Sequence, residues 1–253
     1  MTGPEPSPSH DVLEHIDALR STLLKIIGTY ILLCVPCWFL ATPLLDYLLT
    51  HAIPGGFSIH YFSLLEPFFA MIKLMLTLAA MASLPFTLYY IWQFVEPALL
   101  EEEKKFIRPL LLASFLLACT GAAAAYFFLM PCVIAFSKSF AGPNMDPVIG
   151  LESFISMLLM LVIAGALIFQ FPVVLFTLLT VGIIDVRSML KKRPLFIVGI
   201  LILAGLLTPP DVISQIALAL PACLFYELSI LIFSRYRIKR PGAESPEKET
   251  VQS

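Results

Sequence analysis

The chain has 253 residues, of which 59% are apolar and 13% are charged, and its mean hydropathy is +0.91. Because soluble domains carry about 25% charged residues, this composition excludes an ordinary soluble protein and predicts a polytopic membrane protein with no separate soluble domain. The net charge of −2 indicates no particular class of partner, and we expect none among the nucleic acids.

The first residues predict a tail followed by an amphipathic helix. Residues 1–10 are rich in Pro, Ser and Gly, and we expect them to form a disordered cytoplasmic tail. From Val12 onward, apolar residues recur at helical spacing while Glu14 and Asp17 fall on another face, which predicts a short surface helix running into the first span. The start lacks the basic and apolar regions of a cleavable signal peptide, so we expect the first span to direct insertion.

Six apolar segments make up a predicted membrane domain over residues 11–234, with all-α architecture. The expected spans are residues 23–44, 68–95, 109–136, 154–181, 195–207 and 212–233. The fifth is short, because thirteen helical residues extend about 20 Å whereas the hydrocarbon core is about 30 Å thick. Pro209 and Pro210 then force a turn. The last two spans are therefore expected to be short and to form a shallow hairpin, with Asp211 at its tip near the far interface.

The distribution of Lys and Arg predicts the orientation of these spans. The connections after the first, third and fifth spans contain only Lys138, whereas the other connections and the C-terminal segment are basic. Because basic connections stay on the cytoplasmic side, both termini are expected to be cytoplasmic. Residues 235–253 are expected to form a disordered cytoplasmic tail that is first basic and then acidic.

The densest charge in the chain lies between the second and third spans. Four glutamates are followed by three cations there: Glu96, Glu101, Glu102, Glu103, Lys104, Lys105 and Arg108. A carboxylate cluster held at one membrane face predicts a docking site for a positively charged peptide.

No pattern typical of catalysis is present in the sequence. We find no nucleophile and base pair, no glycine-rich phosphate loop and no His-rich metal site, so we expect neither an enzyme nor a bound cofactor or metal. Cys34 and Cys37 have the spacing of a redox pair, and a membrane thiol oxidoreductase is one alternative. We expect these thiols instead to pack as small side chains within a span.

Three of the polar residues within the predicted spans are Gln170, Lys73 and Glu227. An amide in lipid needs a partner, so Gln170 is expected to contact a polar residue of another helix, either within the protein or on an inserted peptide. Lys73 and Glu227 are interpreted as structural charges that either pair or extend toward opposite interfaces. An ion-coupled secondary transporter using these three residues is the main alternative function.

Several short motifs, in order and spacing over about residues 13–233, resemble the TatC family of the twin-arginine protein translocase. The motifs are Phe94 with Pro97-Ala98-Leu99 and Glu103, Glu66-Pro67-Phe68-Phe69 with Lys73, Lys191-Lys192-Arg193-Pro194, and Leu207-Thr208-Pro209-Pro210-Asp211-Val212 with Ser214-Gln215. The resemblance implies a six-span, glove-shaped receptor in the bacterial cytoplasmic membrane, which binds twin-arginine signal peptides of folded proteins on the cytoplasmic side.

The resemblance also implies which residues bind the signal peptide. Glu103 occupies the position of the family's loop glutamate that recognises the arginine pair, and Phe94 corresponds to a nearby aromatic residue. The family's N-terminal motif, His-Leu-x-Glu-Leu-Arg, reads His15-Ile16-Asp17-Ala18-Leu19-Arg20 here. Because Ala18 stands at the glutamate position, either Asp17 or Glu14 substitutes, or that carboxylate is dispensable.

The partners implied by the resemblance are the single-span TatA and TatB subunits, in a complex containing multiple copies and driven by the proton-motive force. Thr208, Ser214 and Gln215 resemble the family's polar site for these partners. The alternative is a local role, in which Thr208 and Asp211 cap helices and solvate the hairpin tip. The family often has a glutamate where this chain has Gln170, so a protonation step there is not expected of this chain.

Overall fold

The computed structural model describes residues 8–51, 58–95, 107–140, 148–180, 184–208 and 211–237. The first half contains α1 (Pro8–His51), β1 (Ser58–His60), α2 (Glu66–Val95) and α3 (Ile107–Ala124), which continues through a π-helical turn (Ala125–Leu129) into α4 (Met130–Ser139). The second half contains β2 (Val148–Gly150), α5 (Leu151–Ile168), α6 (Phe171–Thr180), α7 (Val186–Lys191), α8 (Arg193–Leu207) and α9 (Val212–Arg237).

Five helical segments within this part of the chain are long and apolar enough to cross a membrane. These segments are Ile16–His51, Glu66–Phe94, Pro109–Ser139, Leu151–Leu179 and Val212–Ile232. The shorter apolar helix α8 has 15 residues. The predicted polytopic helical fold is therefore confirmed, with the short fifth segment where it was expected. The count of six spans and their orientation stay predictions.

Two short strands interrupt the helical pattern and were not predicted. β1 pairs with β2 in parallel register, with Ser58 opposite Val148 and His60 opposite Gly150. The strands precede α2 and α5 respectively, so the pairing fastens the starts of these two helices together. Three residues per strand carry too little periodicity to stand out in a sequence.

Two of the predicted spans differ from the helices of the structure. The first continues beyond its expected ends, and the fourth is interrupted near its middle. The helix α1 begins at Pro8 and continues to His51, so residues 8–10 belong to a helix, and the helix extends beyond Leu44, where the first span was expected to end. The fourth span is broken at Phe169 and Gln170, between α5 and α6. Pro172 accounts for the break, since it has no N–H to donate to the carbonyl four residues earlier.

The core is built around α5, which contacts α2, α3, α8 and α9. Its backbone approaches α3 most closely at two glycines: a Cβ on Gly121 would lie 2.3 Å from the carbonyl oxygen of Gly165. Only glycine fits such an approach, so the two glycines allow α3 and α5 to pack closely. By contrast, α1 packs chiefly against α2.

Candidate functional site

The described part of the predicted peptide-binding site lies near the start of α1. Asp17 and Arg20 are exposed and line a shallow, open depression together with Ser21, Leu24 and Lys25. Because the first and fourth residues of a helical turn share a face, α1 presents Asp17 and Arg20 side by side. Glu14 lies on the same helix, but its side chain is outside the described residues.

The C-terminal end of α2 lies at the same end of the molecule as this depression. The two helices run antiparallel, since Thr29 of α1 approaches the Tyr90 hydroxyl at 3.5 Å while Thr42 approaches the Met71 sulfur at 3.9 Å. Phe94 lies one turn beyond Tyr90, which brings it level with Lys25, one turn before Thr29. Phe94 is half-buried there, beside the depression.

The start of α3 also lies at this face. Trp92, near the end of α2, is buried against Leu110 and Leu111 of α3. The loop that carries Glu103 therefore leaves and re-enters the fold beside the depression. Glu103 itself lies outside the described residues, so its predicted contact with an arginine pair stays a prediction.

The described depression is not acidic by itself. Its ionisable side chains are one carboxylate, Asp17, and two cations, Arg20 and Lys25. A cationic peptide docked here needs further carboxylates. The sequence offers Asp11 and Glu14 before Asp17, and Glu101, Glu102 and Glu103 in the loop between α2 and α3. The electrostatic attraction expected from the sequence therefore depends on carboxylates outside the described depression.

Gln170 bonds to a residue of another helix within the chain. It lies in the break between α5 and α6, where its Nε2 donates to the Ser114 carbonyl oxygen at 2.8 Å and its Oε1 accepts from the Ser114 hydroxyl. Ser114 belongs to α3 and is fully buried. The amide thus ties α3 to the break, as expected of the internal alternative.

Lys73 forms an ion pair near the starts of α2 and α5. Its Nζ lies 2.7 Å from Glu152 Oε1 and 2.8 Å from Ser156 Oγ, and both charged side chains are about 40% exposed, at 41% and 37%. Sequence reasoning missed Glu152 and Ser156. The sequence contained one indication of this site. Glu152 and Ser156 are separated by four residues, so both lie on one face of a helix and can contact the same lysine.

Glu227 pairs with Arg193, whose Nη2 lies 3.0 Å from Glu227 Oε2. The interpretation that Lys73 and Glu227 pair with each other is therefore wrong, because each has a different partner on a different pair of helices. The transporter alternative gains nothing from this arrangement, since Gln170, Lys73 and Glu227 contact separate partners instead of lining one path.

The polar residues of the hairpin make contacts within the chain. Asp211 caps α9: its Oδ2 accepts from the Ser214 N–H at 2.7 Å and its Oδ1 from the Ser214 hydroxyl at 2.6 Å. Thr208 donates its hydroxyl to the Ala204 carbonyl oxygen at 2.9 Å. Gln215 Nε2 donates to the Leu201 carbonyl oxygen at 3.0 Å, which joins α9 to α8. These bonds fit the capping alternative.

The described residues offer no grouping suited to a metal ion. No three His, Cys, Asp or Glu side chains among them lie close enough together to hold one. All five cysteines are free thiols, including Cys34 and Cys37. The redox alternative therefore has no disulfide to support it.

The chain matches known proteins along most of its length. Residues 14–221 match the family model described as "Sec-independent protein translocase protein (TatC)". The "Sec-independent protein translocase protein TatC" of Haemophilus influenzae is 34% identical over 91% of each chain, and that of Escherichia coli K12 is 32% identical over 90% of this chain and 89% of the relative. A crystal structure named "Twin Arginine Translocase Receptor- TatC" superposes with a TM-score of 0.78 at 30% identity, covering 88% of this chain and 99% of the other.

Proposed function

From the premise that this chain belongs to the TatC family of Sec-independent protein translocase proteins, we propose that it binds the twin-arginine signal peptides of folded proteins. Family membership makes it a multi-pass membrane component of a bacterial protein translocase and not an enzyme. The proposal adds the ligand, the residues that hold it, and the location of the site at the cytoplasmic face of the inner membrane.

One observation carries the proposal. Asp17, Arg20 and Phe94 lie at the same face of the helices as both ends of the loop that contains Glu103. An arginine pair that reached Glu103 would therefore also come within reach of the depression on α1. Asp17 is the described carboxylate placed to assist, whereas Arg20 and Lys25 would repel a second cation that lay beyond it.

Charge alone cannot hold the signal peptide. An exposed ion pair contributes about 0 to 1 kcal/mol, whereas micromolar affinity needs about 8 kcal/mol. Bidentate contacts between guanidinium groups and carboxylates add specificity, and the apolar stretch of the signal adds burial against the spans. The apolar side chains of α1, including Leu24 at 60% exposure, offer surface for that burial.

The test is site-specific photocrosslinking from position 104, next to Glu103, to a signal peptide carrying Arg-Arg or Lys-Lys. We expect a crosslink with Arg-Arg that falls at least about tenfold with Lys-Lys, because lysine lacks the planar fork that pairs with a carboxylate. With the same photoreactive group at position 104, Glu103→Gln should abolish the Arg-Arg crosslink, whereas the matched control Glu101→Gln should retain most of it.

Two results would contradict this assignment. The first is an undiminished Arg-Arg crosslink in the Glu103→Gln protein. The second is equal loss in Glu101→Gln and Glu103→Gln, which would indicate a diffuse acidic surface instead of one recognition carboxylate. Membrane insertion of both variants should equal that of the parent, since the loop lies outside the predicted spans.

We further propose that the hairpin of α8 and α9 contacts the TatA and TatB subunits, in a complex with multiple copies of this chain that the proton-motive force drives. Gln215 uses its Nε2 for the Leu201 carbonyl and leaves its Oε1 to accept a bond from a polar residue of a partner helix. Thr208 and Ser214 are buried and bonded locally, so they support the hairpin instead of facing a partner.

Copurification tests this contact. Gln215→Leu should lower the recovery of TatB by several-fold, while the neighbouring substitution Ile216→Leu, at an exposed apolar position, should leave recovery unchanged. Full recovery of TatB with Gln215→Leu would mean that Gln215 only joins α9 to Leu201 and does not contact a partner subunit. The melting temperature of each variant, measured in the same detergent, separates lost contact from lost folding.

A further inference from the structure

We propose that α7, α8 and the adjoining part of α6 bind one anionic phospholipid, with its phosphate on the cations of α7 and an acyl chain along α8. The proposed signal-peptide site does not use this surface. The surface combines a charged cluster with an apolar groove that begins one helical turn away.

Three cations lie on α7 or directly after it. Arg187 and Lys191 are separated by four residues and share a face, and Lys192 follows directly; all three side chains are exposed. Like charges at this spacing destabilise a helix. Among the residues that the structure describes, none forms an ion pair with these three, whereas the next cation, Arg193, is paired with Glu227. An anion from outside the chain would relieve the repulsion.

The cluster is held in a fixed position. On its opposite side, α7 buries Val186 and Met189 against the core. The hydroxyl of Tyr226, which is fully buried, donates to the Met189 carbonyl oxygen at 2.8 Å. This bond fastens the short helix to α9, so the backbone that carries the cations is held in place and a bound phosphate need order only their side chains.

The groove begins where the cations end. The Phe196 N–H donates to the Lys192 carbonyl oxygen at 3.1 Å, so Lys192 lies one turn before Phe196 on the same side of α8. The groove has a volume of about 380 Å³, within the range of small-molecule sites. Its lining is apolar and consists of Phe171, Leu195, Phe196, Gly199, Ile200 and Leu203.

Gly199 keeps the groove open. A Cβ added there would meet nothing within 4 Å, and Leu195 beside it is 66% exposed. A surface with a fully apolar floor and cations at one end is complementary to a lipid with a negative head group. A zwitterionic lipid would fill the floor equally well but would leave the cations without a counter-charge.

Native mass spectrometry of the purified full-length protein tests the proposal, with dioleoyl phosphatidylglycerol and dioleoyl phosphatidylcholine as probes. We expect one tightly bound phosphatidylglycerol. Replacing Arg187, Lys191 and Lys192 together by glutamine should weaken its binding on the order of a hundredfold, because each cation near a membrane surface contributes about fivefold. The matched control is Lys25→Gln, which removes an exposed cation of α1 and should change binding little.

A second variant tests the groove without altering charge. Gly199→Phe has room to fold and should fill the groove, reducing phosphatidylglycerol binding at least about tenfold. The control Gly28→Phe places the same side chain at an equally open position on α1 and should have no effect. Phosphatidylglycerol binding that survives either the triple substitution or Gly199→Phe would overturn the proposal. Equal affinity for the two lipids would overturn it too.

Discussion

The segments that contain α1 and α5 are both apolar and long enough to cross a membrane, but their surroundings are opposite. In the most apolar window of α1, 6% of the residues are buried, compared with 50% in the segment that contains α5. The helix α5 touches four other helices, whereas α1 contacts mainly α2. A hydrophobic span therefore does not indicate a core position in a membrane protein, because lipid is as apolar a neighbour as leucine.

The polar contacts follow the same division. The helix α5 and the break after it carry Glu152 and Gln170, which bond to α2 and α3. The helix α1 reaches α2 with hydroxyl groups at longer distances, such as the 3.5 Å between Thr29 and Tyr90. We therefore expect substitutions around α5 to change folding, and equivalent substitutions on α1 to change it little.

The largest expected effect comes from the glycine contact. Gly165→Leu would place a Cβ 2.5 Å from the Gly121 carbonyl oxygen and 2.9 Å from the Ala125 Cβ, so α3 and α5 would have to separate. We expect a loss of about 3 kcal/mol or more of unfolding free energy, or no folded protein. The unfolding free energies of the variant and the parent are compared by denaturant unfolding in mixed micelles.

The control for that prediction is Gly28→Leu on α1, where a Cβ meets nothing within 4 Å. It should unfold at the same denaturant concentration as the parent. Similar losses in both variants would show that α1 is packed as tightly as α5, and the comparison between them would fail.

An intermediate effect is expected for Gln170→Leu. The substitution removes both bonds to Ser114, and hydrogen bonds between membrane helices contribute about 0.6 kcal/mol on average and at most about 1.7 kcal/mol. A double-mutant cycle with Ser114→Ala should recover a coupling of that size for the bond from the Ser114 hydroxyl to Gln170 Oε1, since Ser114→Ala keeps the backbone carbonyl oxygen that accepts from Gln170 Nε2. Thr29→Val on α1 is the comparison and should cost close to nothing, since its contact with Tyr90 is at the limit of hydrogen bonding. Additive losses from Gln170→Leu and Ser114→Ala would contradict the bond between the Ser114 hydroxyl and Gln170 Oε1.

The smallest effect is expected for the ion pair of Lys73. Both charges are partly exposed, so Lys73→Met should cost less than about 1 kcal/mol, and less still at high salt. The salt dependence of the unfolding midpoint measures this, with Lys25→Met on α1 as the unpaired comparison. A loss that is independent of salt would mean that packing of the lysine stem, and not charge, joins α2 to α5.

Some of the site was accessible from sequence. The acidic loop that contains Glu103, the hairpin with Asp211 and the need of Gln170 for a partner were all recognised from residue types and spacing. The assignment of Glu103 to an arginine pair came from the family resemblance and stays a prediction. The identities of the partners were not: Ser114 lies 56 residues from Gln170, and Glu152 lies 79 residues from Lys73. Contacts at such separations depend on how each helix is rotated about its axis, and hydropathy does not record that rotation when every face is apolar.

By itself, the sequence determined the class of protein, the approximate positions of the apolar segments, the short fifth segment and the resemblance to a translocase family. These follow from local properties, namely the length of apolar runs, the backbone limits of proline and the order of short motifs. Only the tertiary structure decided that α5 is central, that β1 pairs with β2, and that Arg193 neutralises Glu227. Each of these depends on which surfaces meet in three dimensions, and many arrangements of equally apolar helices satisfy the same sequence pattern.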